Sequence, residues 1–359
     1  MRVLLVTGSS GGHIFPALAL MDRLKESGAG LLLVLPKKNS GSGIAQESGC
    51  VKYIPAFSLG LKLGSKNVSG VYFFLIGAWE SLAAIIKFKP DVVVGFGSLY
   101  TIAMLFWAWL FRIRTVIHEQ NVIPGRANRL LARFVDKTAV SFSQTNSYLK
   151  IAREKIAVTG NPLRKGLIRL ERKAALDFFN FKEAKFNILI TGGSQGSHKL
   201  NTVCSRALSG CDEKDNLQLL HISGVQDLTL VKQVYTQSGI AHKVFDFFPD
   251  MQYAYSIADL VICRSGATTI AELQRFGLPA LLIPYPFAYA HQLSNARVLG
   301  DCGSALIIRD EELCVDKIRD SVSELMLQPQ KLETMRQACA RNQIADAAGL
   351  LAEEVLNLN

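Results

Sequence analysis

The same opening occurs twice in this chain: a short apolar run, a glycine-rich turn, and then a helix-length amphipathic stretch. The first copy is Val3–Thr7 leading through TGSSGGH (Thr7–His13), and the second is Phe186–Thr191 leading through TGGSQGS (Thr191–Ser197). A strand that passes through a tight turn straight into a helix is the first half of a crossover between parallel strands, which cannot be joined by a hairpin. Leu31–Leu35, Val92–Gly95 and Thr115–His118 continue the first series as further short apolar runs. Leu217–Ile222, Leu260–Cys263 and Ala280–Pro284 continue the second. The expected fold class is α/β, with two Rossmann-like domains in tandem covering residues 1–162 and 163–341. A length of 359 residues, 49% of them hydrophobic, is enough for two cores. The boundary is expected in Val158–Arg164, after a first helix at Pro16–Ser27 and before a charged helix from Lys165 to about Phe179.

Glycine turns that open helices bind phosphates, because backbone N–H groups and the positive end of the helix reach the anion without hindrance from side chains. The first turn departs from the dinucleotide pattern, and Leu31–Pro36 is followed by Lys37 and Lys38 where a dinucleotide enzyme carries an acidic residue. Nicotinamide chemistry is therefore disfavoured. In place of that pattern stands Gly11-Gly12-His13, which puts an imidazole able to take a hydroxyl proton at the start of the first helix. A third constellation, Arg264-Ser265-Gly266-Ala267-Thr268-Thr269-Ile270-Ala271-Glu272, follows the strand Leu260–Cys263. Ser265 and Gly266 are placed to hold a diphosphate at a helix start. Glu272, two turns on, can accept both hydroxyls of a ribose.

Charge is divided unevenly. Residues 1–162 carry 19 Lys and Arg against 8 Asp and Glu, and residues 163–359 carry 21 against 22, so the first half is expected to meet an anionic partner. Val71–Ile86 is interrupted by Glu80, and Leu99–Phe111 is too short to span a bilayer. Both read mainly as helices facing the core. They also concentrate Tyr72, Phe73, Phe74, Trp79, Phe106, Trp107, Trp109 and Phe111 near Lys62, Lys66, Lys87, Lys89, Arg112 and Arg114, a composition suited to the headgroup layer of a membrane. Seven scattered cysteines without a C-x-x-C pair read as reduced thiols, and the start MRVLLVTG lacks the features of a secretory leader, so a cytoplasmic location is expected. No nucleic-acid recognition motif is present.

GGH (Gly11–His13), HEQN (His118–Asn121), GNPLR (Gly160–Arg164), GGSQGS (Gly192–Ser197), FFPDM (Phe247–Met251), RSGATTIAE (Arg264–Glu272) and HQLSNA (His291–Ala296) occur in this order over essentially the whole chain. In this the sequence resembles the two-lobed GT-B glycosyltransferases that add N-acetylglucosamine to the lipid-linked precursor of bacterial peptidoglycan. The resemblance implies two domains facing across a cleft, with a C-terminal helix at about 342–359 packed back on the first. It implies UDP-N-acetylglucosamine as donor substrate, no required cofactor or metal, and undecaprenyl-diphosphate-linked muramoyl-pentapeptide as acceptor. It also implies peripheral attachment to the anionic cytoplasmic face of the plasma membrane, with cell-wall assembly and division proteins as partners.

By motif, the donor site would comprise Ser194, Gln195 and Gly196 with Arg164, Ser265 and Gly266 at the diphosphate, and Ser10, Gly11 and Gly12 from the first turn. Phe248 would offer its backbone to uracil, Glu272 would hold the ribose, and His291 and Gln292 would meet the sugar hydroxyls. His13, Glu119, Asn121 and Asn128 would line the acceptor site, with His13 as base oriented by Glu119. The chain departs from the family pattern at Ser9, Ser98, Ala290 and His291. A UDP-sugar epimerase of similar architecture would need no lipid acceptor, so the basic, aromatic first half argues against it. A non-catalytic binding subunit would not require an intact His13, Glu119 and Glu272.

Overall fold

A computed structural model describes residues 1–39, 50–54, 65–193, 195–287, 291–341 and 343–358, with only the backbone described at 38, 65–73 and 100. The chain forms two compact units, residues 1–165 together with 346–359, and residues 166–345.

The first unit runs β1 (Arg2–Val6), α1 (Gly11–Glu26), β2 (Gly30–Pro36), β3 (Val51–Ile54), α2 (Ser65–Phe88), β4 (Val92–Gly95), α3 (Leu99–Leu110), β5 (Arg114–Glu119), α4 (Arg126–Leu131), β6 (Lys137–Val140) and β7 (Ile156–Val158). Its parallel sheet has the order β3-β2-β1-β4-β5-β6-β7, with Val3 opposite both Leu31 and Val92. The chain moves outward from β1 through β2 and β3, then returns to β4 on the other side. The loops leaving β1 and β4 therefore diverge, and such a switch point is where open α/β sheets bind ligands. Val3, Leu5, Val92 and Val94 are buried on the α1 face, and Leu4, Val6 and Val93 on the face covered by α3. Strands buried on both faces are apolar at every position, which is why these runs do not alternate.

The second unit runs α5 (Arg172–Phe179), β8 (Phe186–Thr191), α6 (His198–Ser209), β9 (Leu217–Ile222), α7 (Leu228–Ser238), β10 (Ala241–Phe245), α8 (Met251–Ile257), β11 (Leu260–Cys263), α9 (Ala267–Phe276), β12 (Ala280–Leu282), α10 (His291–Gly300), β13 (Ala305–Ile307), α11 (Val315–Leu327) and α12 (Pro329–Arg341). Its sheet, order β10-β9-β8-β11-β12-β13, is also parallel, and its switch point falls between β8 and β11. α13 (Ala347–Leu356) belongs to the first unit, where Leu351 and Val355 are fully buried in the cluster that holds Ile14, Leu20 and Leu24. Asp346 caps it by accepting from the Gly349 N–H at 2.8 Å, and Lys137 pairs with Glu354 at 3.3 Å.

Two expected helices have different bounds. α1 starts at Gly11 rather than Pro16, because the Ser10 carbonyl already accepts the N–H groups of His13 (3.0 Å) and Ile14 (3.1 Å). The helix expected from Lys165 begins only at Arg172. Before it, the chain is tied into the unit instead, with the Leu170 N–H donating to Ser256 Oγ at 2.9 Å and the Arg169 guanidinium donating to the Phe276 carbonyl.

α2 and α3 are each two-sided. Ala84, Ile85, Met104, Leu105 and Ala108 face the core, while Trp79, Phe106, Trp109 and Phe111 are exposed. Trp107 is half-buried and donates its indole N–H to the Ala78 carbonyl at 2.9 Å. Lys62 lies outside the described residues, as do the side chains of Lys66, Tyr72 and Phe73. Among the described residues no helix is long and apolar enough to cross a membrane.

Candidate functional site

In the first unit, the switch point brings the turn after β1 against the loop after β4. A Cβ at Gly8 would lie 2.7 Å from Ser98 Cβ and 3.0 Å from His13 Nδ1, so only glycine fits there. His13 Nδ1 lies 2.7 Å from Ser10 Oγ, and burial lowers the imidazole from 6.5 to about 4, so it is neutral at physiological pH. Gly97 lies along the ring's other edge. Its missing Cβ would stand 3.3 Å from His13 Nε2 and 3.4 Å from Asn128 Nδ2. Gly11 is in contact range of the Phe15 ring, over which Arg164 sits at 4.9 Å, and space is open at Gly12.

Ser98 has φ +74° and ψ 161°, a backbone region essentially reserved for glycine. Ser98 thus holds a conformation suited to glycine and is strained by it. Ser98→Gly is expected to raise stability by roughly 1 kcal/mol, read as an upward shift in Tm. An unchanged or lower Tm would show that the strain is absent.

Glu119, at the end of β5, is tied into the segment that follows it. It is buried, and its two oxygens accept four N–H groups: the Asn121 backbone (2.9 Å) and side chain (3.3 Å), the Gly125 backbone (2.9 Å) and Asn128 Nδ2 (2.9 Å). Those bonds fix the 120–125 loop and the start of α4. Among the described residues His13 is held by Ser10 rather than by Glu119. His118 is fully buried with its pKa lowered to about 4 by burial. Its Nε2–H donates to the Gly160 carbonyl at 2.9 Å, so it serves the structure.

In the second unit, Ser194 lies outside the described residues, and the rest of its turn is shaped by contact. Gly196 has φ +74°, and a Cβ there would stand 2.1 Å from the Ser223 carbonyl oxygen, while one at Gly224 would stand 2.7 Å from the Gln195 carbonyl oxygen. The loop after β9 thus forms the back of the glycine turn. Neither Ser197 nor Gly266 caps its helix, α6 or α9, with a side chain, so first-turn N–H groups flank this switch point. The buried Arg264 ties the two loops together, donating to Ser197 Oγ (2.9 Å), the Ile283 carbonyl (3.1 Å) and Asp310 (2.6 Å).

Gln292, expected to meet the sugar hydroxyls, uses its carbonyl oxygen on the backbone. Its Oε1 accepts the N–H groups of Ser265 (3.2 Å) and Tyr285 (2.9 Å), which anchors the start of α10. His291 opens that helix and is half-buried, and Ala290 lies outside the described residues. Half-buried Glu272 accepts from the Tyr255 hydroxyl at 2.8 Å, a partner its motif does not reveal. The Phe248 ring is buried against Phe179 and Phe245, which leaves its backbone as the part that can meet a ligand.

Two parallel sheets, each with a glycine turn at its switch point, define the GT-B fold class of nucleotide-sugar enzymes. The family follows from direct comparison. The model of the glycosyltransferase family 28 N-terminal domain matches residues 3–140, and that of the family 28 C-terminal domain matches residues 187–351. The chain belongs to glycosyltransferase family 28. It is 35% identical over 350 residues to a Halothermothrix orenii protein, covering 95% of this chain and 94% of that one. That relative is named as a UDP-N-acetylglucosamine--N-acetylmuramyl-(pentapeptide) pyrophosphoryl-undecaprenol N-acetylglucosamine transferase. A Desulfotalea psychrophila protein of the same name is 36% identical over 357 residues, covering 97% and 94%. Among solved structures, Acinetobacter baumannii MurG superposes with a TM-score of 0.79 at 24% identity, covering 99% of this chain and 100% of that one. The Neisseria meningitidis UDP-GlcNAc 2-epimerase bound to UDP-GlcNAc superposes with a TM-score of 0.70 at 15% identity, covering 99% and 100%. At those identities the likeness is one of fold.

Proposed function

We propose that this enzyme transfers N-acetylglucosamine, with inversion, from UDP-N-acetylglucosamine to the 4-hydroxyl of the undecaprenyl-diphosphate-linked muramoyl-pentapeptide, forming a β-1,4 link. The observation that carries this reading is the pair of switch points. One holds a glycine turn with two uncapped helix starts, ready for a diphosphate; the other holds a neutral imidazole with Nδ1 already engaged by Ser10.

His13 acts as base in the tautomer whose Nδ1–H donates to Ser10 Oγ, which leaves the Nε2 lone pair for the acceptor. The acceptor oxygen forms its bond to the anomeric carbon, the bond from that carbon to the β-phosphate oxygen breaks, and the hydroxyl proton passes to Nε2. An imidazole at about 4 is a weak base for a free alcohol, so the proton moves late, once bond formation has made the hydroxyl acidic. Negative charge growing on UDP is met by the amides of 195–197, the start of α9 and the Arg164 guanidinium, without a resident metal. Glu119 positions Asn121 and Asn128 beside the acceptor. Glu272 holds the ribose, the Phe248 backbone reads the base, and His291 meets the sugar.

The lipid acceptor requires a membrane-facing surface, and the first unit offers one. Exposed Trp79, Phe106, Trp109 and Phe111 continue onto α4 and the turn after it through Leu130 and Phe134, with Trp109 and Phe134 6.1 Å apart. Exposed Arg112, Arg126, Arg129 and Arg133 lie among them. We propose that this face rests peripherally on anionic lipid at the cytoplasmic side of the membrane.

The test supplies labelled UDP-N-acetylglucosamine and a muramoyl-pentapeptide lipid in anionic vesicles. Label on the lipid, UDP release that depends on the lipid, and sedimentation with the vesicles are expected. Epimerised donor without acceptor, or donor binding with no transfer, would refute the transferase reading.

A further inference from the structure

Phe15 and Arg164 stand apart from the groups around them. Phe15, on α1, is half-buried and stays outside the apolar cluster that its neighbours Ile14, Ala17 and Leu18 join. Its ring edge lies against the first glycine turn instead, where a Cβ at Gly11 would stand 3.0 Å from Phe15 Cε2 and 3.4 Å from Cδ2. Arg164 is half-buried as well, and among the described residues it makes no hydrogen bond and no ion pair. What it does touch is Phe15, with its guanidinium carbon 4.9 Å from the ring centroid. The next residue, Lys165, reaches Glu26 at the other end of α1 in a 2.8 Å ion pair, so this short segment is fixed to the helix near its start and at its end.

A carboxylate holds a guanidinium more firmly than a ring does, and elsewhere in the chain carboxylates do so. Asp259 holds Arg172 at 2.8 Å, and Asp310 holds Arg264 at 2.6 Å. Such a partner occupies N–H groups of the fork and offsets its charge. An aromatic ring does neither, because it attracts the cation through its π face and accepts no bond from the fork that a phosphate would need. Arg164 on Phe15 is therefore held in place with its donors and its charge available to an anion.

We propose that Phe15 is the positioning residue for Arg164: the ring holds the guanidinium beside the first glycine turn before the donor arrives, with the N–H fork free for a phosphate of UDP-N-acetylglucosamine. This inference rests on the donor reading given above, which sets Arg164 at the diphosphate. The gain is preorganisation. A free arginine side chain loses rotamer freedom when an anion fixes it, and one already held on a ring has less to lose. A ring that only packed against Gly11 would do so whether or not Arg164 were present, and that difference is measurable.

Calorimetric titration with UDP-N-acetylglucosamine is the test, on the wild-type protein, Phe15→Leu, Arg164→Ala and the double variant. Arg164→Ala is expected to raise Kd by roughly ten- to a hundred-fold, the worth of hydrogen bonds from a charged donor. Phe15→Leu keeps an apolar side chain against Gly11 but has no π face, and should raise Kd by roughly two- to ten-fold, the cost of ordering one long side chain. In the Arg164→Ala background the same leucine should weaken binding no further. Fluorinated phenylalanines at position 15 keep the shape of the ring while withdrawing its π charge, so Kd should climb with each added fluorine; this series decides the matter if the leucine variant fails to fold. An equal penalty for Phe15→Leu with and without Arg164, or a Kd indifferent to fluorination, makes the ring a packing group and overturns this proposal alone. An Arg164→Ala protein that binds the donor as tightly as the wild type removes Arg164 from the diphosphate, and that part of the donor reading falls with the proposal.

Discussion

His13→Ala is expected to lower kcat by roughly two to four orders of magnitude, the contribution of a positioned general base, while leaving the Kd for UDP-N-acetylglucosamine unchanged. The prediction follows from placement: Ser10 occupies Nδ1 at 2.7 Å, and Nε2 lies against Gly97, a position without a side chain to cover it. Since burial holds the imidazole at about 4, it is already in its basic form at neutrality, and kcat should be flat between about pH 6 and about pH 8 as far as this group is concerned. Glu119 is the competing base, and the two are separable. Glu119→Gln sets an NH2 group against N–H donors in a buried site, so it should cost stability by about 1–3 kcal/mol. If Glu119→Gln kept its Tm and lost kcat while His13→Ala retained turnover, the roles would have to be exchanged.

Gly196→Ala is expected to weaken UDP-N-acetylglucosamine binding by at least about a hundred-fold, since the diphosphate turn cannot keep its shape. The new methyl would stand 2.1 Å from a backbone oxygen, that of Ser223, in a backbone held at φ +74°. Neither atom is the end of a flexible side chain, so the turn or the loop after β9 must move; the destabilisation should be roughly 2–4 kcal/mol. Gly193→Ala is the control. It shares a positive φ of +90°, but among the described residues no non-neighbouring atom stands within 4 Å of its Cβ position, so it should cost only about 1 kcal/mol of backbone strain. Equal donor affinity in Gly196→Ala and wild-type protein, measured by calorimetry, would place the diphosphate elsewhere.

The central strands of both sheets were legible because they are buried on both faces. Val92–Gly95, Phe186–Thr191, Leu217–Ile222 and Leu260–Cys263 have the bounds their apolar runs imply. Edge and outer strands such as β7, β10 and β13 were not legible. They are short, and Ala241–Phe245 carries the exposed Lys243 on its open face and the polar His242 on the other. Gly196 and His13 could be picked out because a turn without side chains and a lone imidazole at a helix start have few other uses. What could not be read was how neighbours engage the chosen residues. Glu119 looked available to an acceptor, yet the 121–128 segment folds around it and takes up both oxygens. The His198–Asp227 pair joins residues 29 apart on different elements, and no spacing rule would have connected them.

The return of α13 to the first unit constrains how this protein is made as well as how it stands. Leu351 and Val355 fill the layer against Ile14, Leu20 and Leu24, yet the ribosome delivers them only after all of residues 166–345. At about 5–20 residues per second, that interval is on the order of tens of seconds. During it, residues 1–165 present an uncovered apolar stripe on α1 while the second unit, whose segment is contiguous, is free to complete its own core. The N-terminal half of this chain is therefore the last to finish folding, and its unfilled stripe gives chaperones a binding site during synthesis.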